Sequence, residues 1–112
     1  MLEKALILAA KAHTGQVDKG GAPYILHPIR VMLACEGEKE KIVALLHDTL
    51  EDTALTAADL RRAGFSEEIV QAVCCLTRGQ KEDYMDYIAR ICENALAARV
   101  KYADLQDNLD IS

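Results

Sequence analysis

Residues 42–53 read Ile-Val-Ala-Leu-Leu-His-Asp-Thr-Leu-Glu-Asp-Thr, an apolar run that ends in a histidine and three carboxylates. Successive residues of a helix are rotated by about 100°, so this spacing gathers the apolar side chains on one arc and the polar ones on the other. The polar arc consists of His47, Asp48, Glu51 and Asp52. We therefore predict a helix from Glu38 to Leu50 that buries its apolar face and clusters polar groups at its C-terminal end.

A three-four periodicity of apolar residues extends along the rest of the chain, without an alternating strand pattern or an Asn-Gly hairpin signal. Residues 15–23 contain three glycines and a proline, which predict a loop after the first helix. The predicted helical segments are Leu2–His13, His27–Gly37, Glu38–Leu50, Thr56–Gly64, one that follows Ser66, one that carries Tyr84–Cys92, and Ala95–Leu109. We expect an all-α fold, a compact bundle of about six to seven helices in one domain over residues 1–112.

The composition of the chain excludes several classes of protein. Its 112 residues are 51% hydrophobic and 28% charged, which is typical of one soluble globular domain. Thirteen basic and 18 acidic residues give a net charge of −5 and form no basic stripe, so we expect no nucleic-acid partner. No apolar stretch reaches the roughly 18 residues of a membrane span and no cleavable leader is recognisable, so we expect a cytoplasmic protein without a membrane partner.

The four cysteines include no C-x-x-C pair that could chelate a metal. They are Cys35, Cys74, Cys75 and Cys92. Each lies in an apolar helical pattern, where a reduced cysteine behaves as a small hydrophobic residue. We therefore expect buried, chemically silent thiols.

Two further polar positions are candidates for a metal site together with the end of the third helix. His27 precedes Pro28 at a helix start, where a side chain can be held rigidly. Asp104 lies in a last helix otherwise rich in Ala, Leu and Val, and an inward carboxylate needs a partner. With His47 and Asp48 they form a set of imidazole and carboxylate ligands suited to Mn, Fe or Zn, and ligand type leaves the metal open. A bound cation would also offset carboxylates at a helix C-terminus, where the helix dipole disfavours them.

The segment from His13 to Pro28 carries a third polar feature. Its glycines allow tight turns, and Lys19 offers a point charge for a phosphate group. On its own, a glycine-rich loop with a lysine is more often a solvated turn. The loop becomes informative only in combination with the candidate metal ligands.

Taken together, these motifs resemble the HD hydrolase domain of RelA/SpoT-type enzymes and of their small single-domain relatives. The resemblance covers nearly the whole chain. It is carried by His13, Gly15, Gln16, Lys19, Gly21, Pro23-Tyr24-Ile25, His27-Pro28, Ala44-Leu45-Leu46-His47-Asp48-Thr49, Glu51-Asp52-Thr53, Gly64-Phe65, Leu76-Thr77, Val100-Lys101, Ala103-Asp104 and Asn108-Leu109.

The resemblance implies an all-helical HD-domain fold and a metal-dependent phosphohydrolase that removes the 3′-pyrophosphate from ppGpp or pppGpp. It implies one manganese ion held by four side chains, those of His27, His47, Asp48 and Asp104. It assigns Glu51 and Asp52 to the orientation or activation of the attacking water. Lys19 is implied to lie near the nucleotide substrate, and Asn108 is implied to contact its sugar.

Two departures from the family pattern bear on the substrate. The better-studied hydrolases carry, before the lysine, an arginine associated with the guanine base, whereas this chain has Asp18 there. The chain also ends soon after Asn108, where longer hydrolases continue with helices that help to close the nucleotide pocket. We expect an intact metal site, weak discrimination between bases and modest activity on ppGpp.

Two other hypotheses remain open from the sequence. One is a catalytically weak HD-fold regulatory module that binds metal or nucleotide, and the other is a metal-free helical domain with an acidic surface. At this length we expect no room for a synthetase domain, and therefore no pyrophosphokinase activity. The sequence leaves the oligomeric state open.

Overall fold

The computed structural model of the chain describes residues 1–110, and these residues form eight helices and no strand. The expected all-α class is confirmed. The helices are α1 (Leu2–Ala12), α2 (Leu26–Ala34), α3 (Glu38–Leu46), α4 (Thr49–Asp52), α5 (Ala57–Arg62), α6 (Glu67–Leu76), α7 (Tyr84–Cys92) and α8 (Ala95–Asp110). Six of the seven predicted segments lie within a few residues of these bounds.

The third predicted segment, Glu38–Leu50, is wrong as a single helix. Helix α3 ends at Leu46, and α4 begins only after a turn formed by His47 and Asp48. Side chains at the break bond to the last carbonyls of α3: His47 Nδ1 lies 2.6 Å from Ala44 O, and Thr49 Oγ1 donates to Leu46 O at 2.7 Å. The break places the His47 side chain in the interior, where it is 3% exposed, instead of on an outward arc.

The second half of helix α3, residues 42–46, lies at the centre of the molecule because it is apolar on all sides. Residues 43–46 are fully buried, and α3 packs against α1, α2, α6 and α8. A helix that is apolar all round must be covered on all sides. This packing brings the C-terminal end of α3 close to the first turn of α2 and the middle of α8.

The predicted loop between α1 and α2 is confirmed, and it folds largely on itself. Gly15 and Gly21 adopt φ values of 85° and 86°, a region that L side chains rarely enter. An isolated bridge joins Val17 and Pro23. The side chain of Gln16 ties the loop to the end of α4 by donating to the Asp52 carbonyl at 3.0 Å.

All four cysteines are free thiols, in agreement with the sequence. Their expected burial is confirmed for Cys35 alone. Cys74 and Cys75 are partly buried, and Cys92 is exposed at the end of α7, beside the Glu93 C-cap. None of the helices in residues 1–110 combines the length and the apolar character needed to cross a bilayer.

Candidate metal centre

Three of the predicted ligands meet in the interior of the bundle, each supplied by a different element. His27 comes from the first turn of α2, His47 from the end of α3 and Asp104 from α8, and all three are buried. Asp104 Oδ1 lies 2.7 Å from His27 Nε2 and 3.3 Å from His47 Nε2. One ligand atom from each residue falls within a mutual distance of 4.8 Å, a spacing that can hold a metal ion.

Asp48, the fourth predicted ligand, lies at the edge of this group. Its Oδ2 atom is 3.1 Å from His47 Nε2, and it accepts a hydrogen bond from the Tyr24 hydroxyl. The side chain is 20% exposed, so one of its faces remains open to the neighbouring cavity. Asp48 is therefore adjacent to the three buried residues but does not belong to their group.

A backbone carbonyl fixes the tautomer of His47, because its Nδ1 donates to Ala44 O. His27 lies between two carboxylates, with Nδ1 2.6 Å from Asp107 Oδ2 and Nε2 2.7 Å from Asp104 Oδ1. Both Nε2 atoms consequently face Asp104, and His47 Nε2 is buried without a hydrogen-bond partner among the described residues. Imidazole lone pairs facing a carboxylate require a proton or a cation between them. The donor set therefore fits a divalent metal ion, with the Nδ1 atoms anchored as metal-bound histidines require.

Electrostatics keep the groups of this cluster charged. Burial alone lowers the pKa of His47, but the carboxylates of Asp48 and Asp104 outweigh it and raise the pKa to about 10. Burial likewise raises the pKa of Asp104, yet the hydrogen bond with His27 and the positive charges of His47 and Lys101 bring it well below its usual range. For Asp48, burial is again outweighed by His47 and Tyr24, and its pKa falls to about 2. The site thus presents ionised carboxylates to whatever cation occupies it.

Two residues that the sequence did not single out adjoin the cluster: Asp107 contacts His27, and Arg30 contacts Asp107. Asp107 accepts from His27 through Oδ2 and from Arg30 Nε through Oδ1, at 2.6 and 2.8 Å. A signal was present, because Asp107 follows Asp104 by three residues and Arg30 follows His27 by three, which places each pair on one helix face. The same three-residue spacing on α8 brings Lys101 Nζ to 3.1 Å from Asp104 Oδ2.

A cavity of about 810 Å³ opens from the metal cluster to solvent. Its lining contains the three residues predicted to bind substrate and three of the predicted ligands: Asp18, Lys19, Asn108, His27, Asp48 and Asp104. The structure therefore brings the loop between α1 and α2 and the end of α8 to the same opening. This arrangement can accept a small anionic molecule beside a metal ion.

The Asp18 carboxylate is also a structural part of the loop. Its Oδ1 atom accepts hydrogen bonds from the backbone N–H groups of Gly20 and Ala22, at 2.8 and 3.0 Å. Such a bond pattern closes the turn that carries Lys19. The side chain contributes a negative charge to the cavity while holding the loop in shape.

Glu51 and Asp52 are exposed on α4 and are not part of the cavity lining. Glu51 Oε1 accepts a hydrogen bond from the Arg78 backbone N–H at 2.7 Å, which fastens α4 to the segment after α6. Partial burial and the charges of Asp48 and Glu51 raise the pKa of Asp52. The carboxylates of Glu51 and Asp52 therefore lie outside the lining of the cavity. Their catalytic role stays a prediction.

No family model matches the chain. Among curated proteins it is similar to a GTP pyrophosphokinase of Myxococcus xanthus, 30% identical over 97% of this chain. It is also similar to a guanosine-3′,5′-bis(diphosphate) 3′-pyrophosphohydrolase of Aquifex aeolicus and to the bifunctional (p)ppGpp synthase/hydrolase SpoT of Escherichia coli, each 32% identical over 96% of this chain. The chain spans 17% of the length of each of these relatives.

A solved structure has the same fold. It is described as a metazoan ortholog of SpoT that hydrolyses ppGpp and plays a role in starvation responses. The two superpose with a TM-score of 0.83 and 26% identity, covering 97% of this chain and 68% of the other. The helical bundle, the buried His and Asp cluster and these matches agree with one another. In sequence and in fold, the chain matches the HD domain of RelA/SpoT-type proteins.

Proposed function

We propose that this chain is a metal-dependent phosphohydrolase that removes pyrophosphate or phosphate from a nucleotide, with ppGpp as the first substrate to test. The observation that carries the proposal is the buried group of His27, His47 and Asp104 at the base of an open cavity. Support comes from relatives named as (p)ppGpp pyrophosphohydrolases and from a structural neighbour that hydrolyses ppGpp. We propose cytoplasmic action, which is consistent with four free thiols.

We propose Mn²⁺ as the metal and Asp48 as its fourth ligand. A divalent cation held there supplies Lewis-acid chemistry to a phosphate group. Support for Asp48 comes from its carboxylate, which faces both His47 Nε2 and the cavity. Tyr24 would then orient Asp48 through its hydroxyl hydrogen bond.

The remaining residues take roles that follow from their charges and places. Lys19, exposed on the loop at the cavity, offers an ammonium group to phosphate oxygens. Asn108, which lines the same cavity from α8, offers an amide to a sugar hydroxyl. Asp52 is the better candidate to accept the proton of the attacking water, because its raised pKa makes it a stronger base than an ordinary carboxylate. Glu51 would orient Asp52 and the α4 turn.

The proposal is tested by metal analysis of the purified chain followed by a nucleotide screen. We expect one equivalent of metal after loading with Mn²⁺, and release of pyrophosphate from ppGpp. The screen includes pppGpp, GTP and ATP, so that base and phosphate requirements are separated. A chain that binds no divalent metal, or a metal-loaded chain that hydrolyses none of these nucleotides, contradicts the proposal.

The position of Glu51 and Asp52 outside the cavity lining favours a second candidate, an HD-fold regulatory module that binds metal and nucleotide without turnover. The same screen separates the two. Stoichiometric nucleotide binding with no product over several hours supports the module, whereas multiple turnovers support the enzyme.

Metal binding should release protons and strengthen as the pH rises. Without metal, the pKa of His47 is about 10, so its imidazole is protonated at neutral pH, and a metal must displace that proton. The apparent affinity for Mn²⁺ should therefore rise by about tenfold per pH unit for each proton displaced, from about pH 6 to about pH 9. Calorimetric titration in two buffers of different ionisation enthalpy measures the proton count. An affinity that is independent of pH, with no proton released, contradicts the assignment.

Neutralising Asp18 should improve the use of a polyanionic substrate. Asp18→Asn keeps an oxygen acceptor for the Gly20 and Ala22 N–H groups while removing the charge, whereas Asp18→Arg removes both and loosens the loop. We expect kcat/KM for ppGpp to rise about fivefold in Asp18→Asn, and the gain to shrink at high salt. Asp86→Asn, on the exposed face of α7 and outside the cavity lining, is the matched control. Equal kcat/KM in wild type and Asp18→Asn contradicts a role for this charge.

A further inference from the structure

Asp107 connects a candidate metal ligand to an arginine of the same helix. Its two carboxylate oxygens are both engaged, Oδ2 by His27 Nδ1 at 2.6 Å and Oδ1 by Arg30 Nε at 2.8 Å. The Asp107 side chain is 12% exposed, so this bridge is shielded from water and screened less than a surface ion pair.

Arg30 uses only one edge of its guanidinium in this bridge. The side chain is 36% exposed and lines the cavity, and its two Nη atoms have no hydrogen-bond partner among the described residues. Held through Nε, the planar group has little freedom to rotate and offers its remaining donors to the cavity. A guanidinium that is fixed and partly open in this way is suited to bind phosphate oxygens.

The cavity lining carries more negative than positive side chains, so a fixed guanidinium there would favour the binding of an anion. Its negative side chains are those of Asp18, Asp48 and Asp104, and its positive side chains are those of Lys19 and Arg30. Lys19 is exposed on a loop, whereas Arg30 is anchored on α2 one turn after His27. A phosphorylated substrate that approaches three carboxylates requires fixed positive charge near the metal.

We propose that Arg30 binds an anionic phosphoryl group of the substrate, and that Asp107 is a positioning residue that aligns Arg30 with His27. The proposal rests on the proposed function for the identity of the substrate, but the anion site itself does not depend on turnover. The chain thus provides from α2 the guanidinium that it lacks at position 18 of the loop. A purely structural ion pair would hold α2 against α8 without affecting anion binding.

The test uses the full chain loaded with Mn²⁺ and freed of unbound metal, with inorganic phosphate as the calorimetric probe. We expect Arg30→Gln to weaken phosphate binding by about tenfold or more with unchanged Mn²⁺ content, and Arg30→Lys to retain part of the affinity. Arg99→Gln is the matched control, because Arg99 also pairs with one carboxylate through Nε, that of Glu40, but lies outside this cavity. For ppGpp, Arg30→Gln should raise KM more than it lowers kcat.

Asp107→Asn separates positioning from simple packing. It should weaken phosphate binding and also lower Mn²⁺ affinity by about tenfold, since it loosens His27 as well as Arg30. Phosphate binding that is equal in wild type and Arg30→Gln, or absent from both, overturns the proposal. So does an Asp107→Asn variant with wild-type affinity for both phosphate and Mn²⁺. If the wild-type chain does not hydrolyse ppGpp, the proposed function is contradicted instead. The phosphate titration would still decide whether Arg30 binds an anion.

Discussion

Asp104→Asn is expected to abolish stoichiometric Mn²⁺ binding and, with it, hydrolysis. Asparagine keeps the shape of the side chain but removes the charge that His27 Nε2, His47 Nε2 and Lys101 Nζ all contact. Loss of an outer hydrogen-bond partner of a metal ligand costs about 10- to 100-fold in affinity, so loss of the central carboxylate should cost more than about 100-fold. Metal content after gel filtration and turnover of ppGpp are the measurements.

A matched control separates this effect from a general loss of carboxylate charge. Asp86→Asn removes a carboxylate from the exposed face of α7 and should retain one equivalent of Mn²⁺. Circular dichroism should show the same helical content for both variants. If Asp104→Asn held stoichiometric Mn²⁺ with wild-type affinity, the cluster of His27, His47 and Asp104 would not be the metal site.

Replacing Glu51 and Asp52 together by Gln and Asn should lower turnover by roughly 10² to 10⁴ while leaving Mn²⁺ content intact, the usual scale for lost acid-base assistance. Neither carboxylate belongs to the buried cluster, so metal binding should not depend on them. The two single variants, Glu51→Gln and Asp52→Asn, show how much each carboxylate contributes to the fall in turnover. Asp52→Asn should account for most of it, because burial and neighbouring charges raise the pKa of Asp52, whereas a glutamine at position 51 can still accept from the Arg78 N–H.

The measurement is kcat at saturating ppGpp, with the melting temperature as the check on folding. Unchanged kcat in the double variant would remove both residues from the mechanism. It would then favour a proton acceptor within the cavity lining. A fall in Mn²⁺ content equal to the fall in rate would instead assign them to metal binding.

The sequence predicted most of the fold because its local signals agree with the tertiary structure. Thr56 and Asp59, three residues apart, form a reciprocal capping box at the start of α5, and Ser66 caps α6. The prediction of one continuous helix through His47 and Asp48 is wrong for a definite physical reason. Periodicity treats each residue as an equal step along a helix, whereas here side-chain bonds to the carbonyls of Ala44 and Leu46 end the helix early.

The site was predictable to the extent that its residues are unusual in their surroundings. Asp104 stood out as a carboxylate in an apolar helix, and the structure brings it together with His27 and His47, while Asp48 of the predicted set lies at the edge of this group. Metal binding by these residues stays a prediction. Arg30 and Asp107 did not stand out. A charged residue three positions from another is common on a solvated helix face, and only the packing of α2 against α8 shows that these two meet.

The central position of α3 separates the site into two parts that differ in local stability. His47 is attached to a helix whose residues 43–46 are fully buried, so the backbone that precedes it can open only when the whole bundle unfolds. Lys19 sits on a loop whose hydrogen bonds close mainly within residues 16–24, and such a segment can open by itself. The loop that carries Lys19 can therefore change its shape while the buried side chains of His27, His47 and Asp104 stay in place.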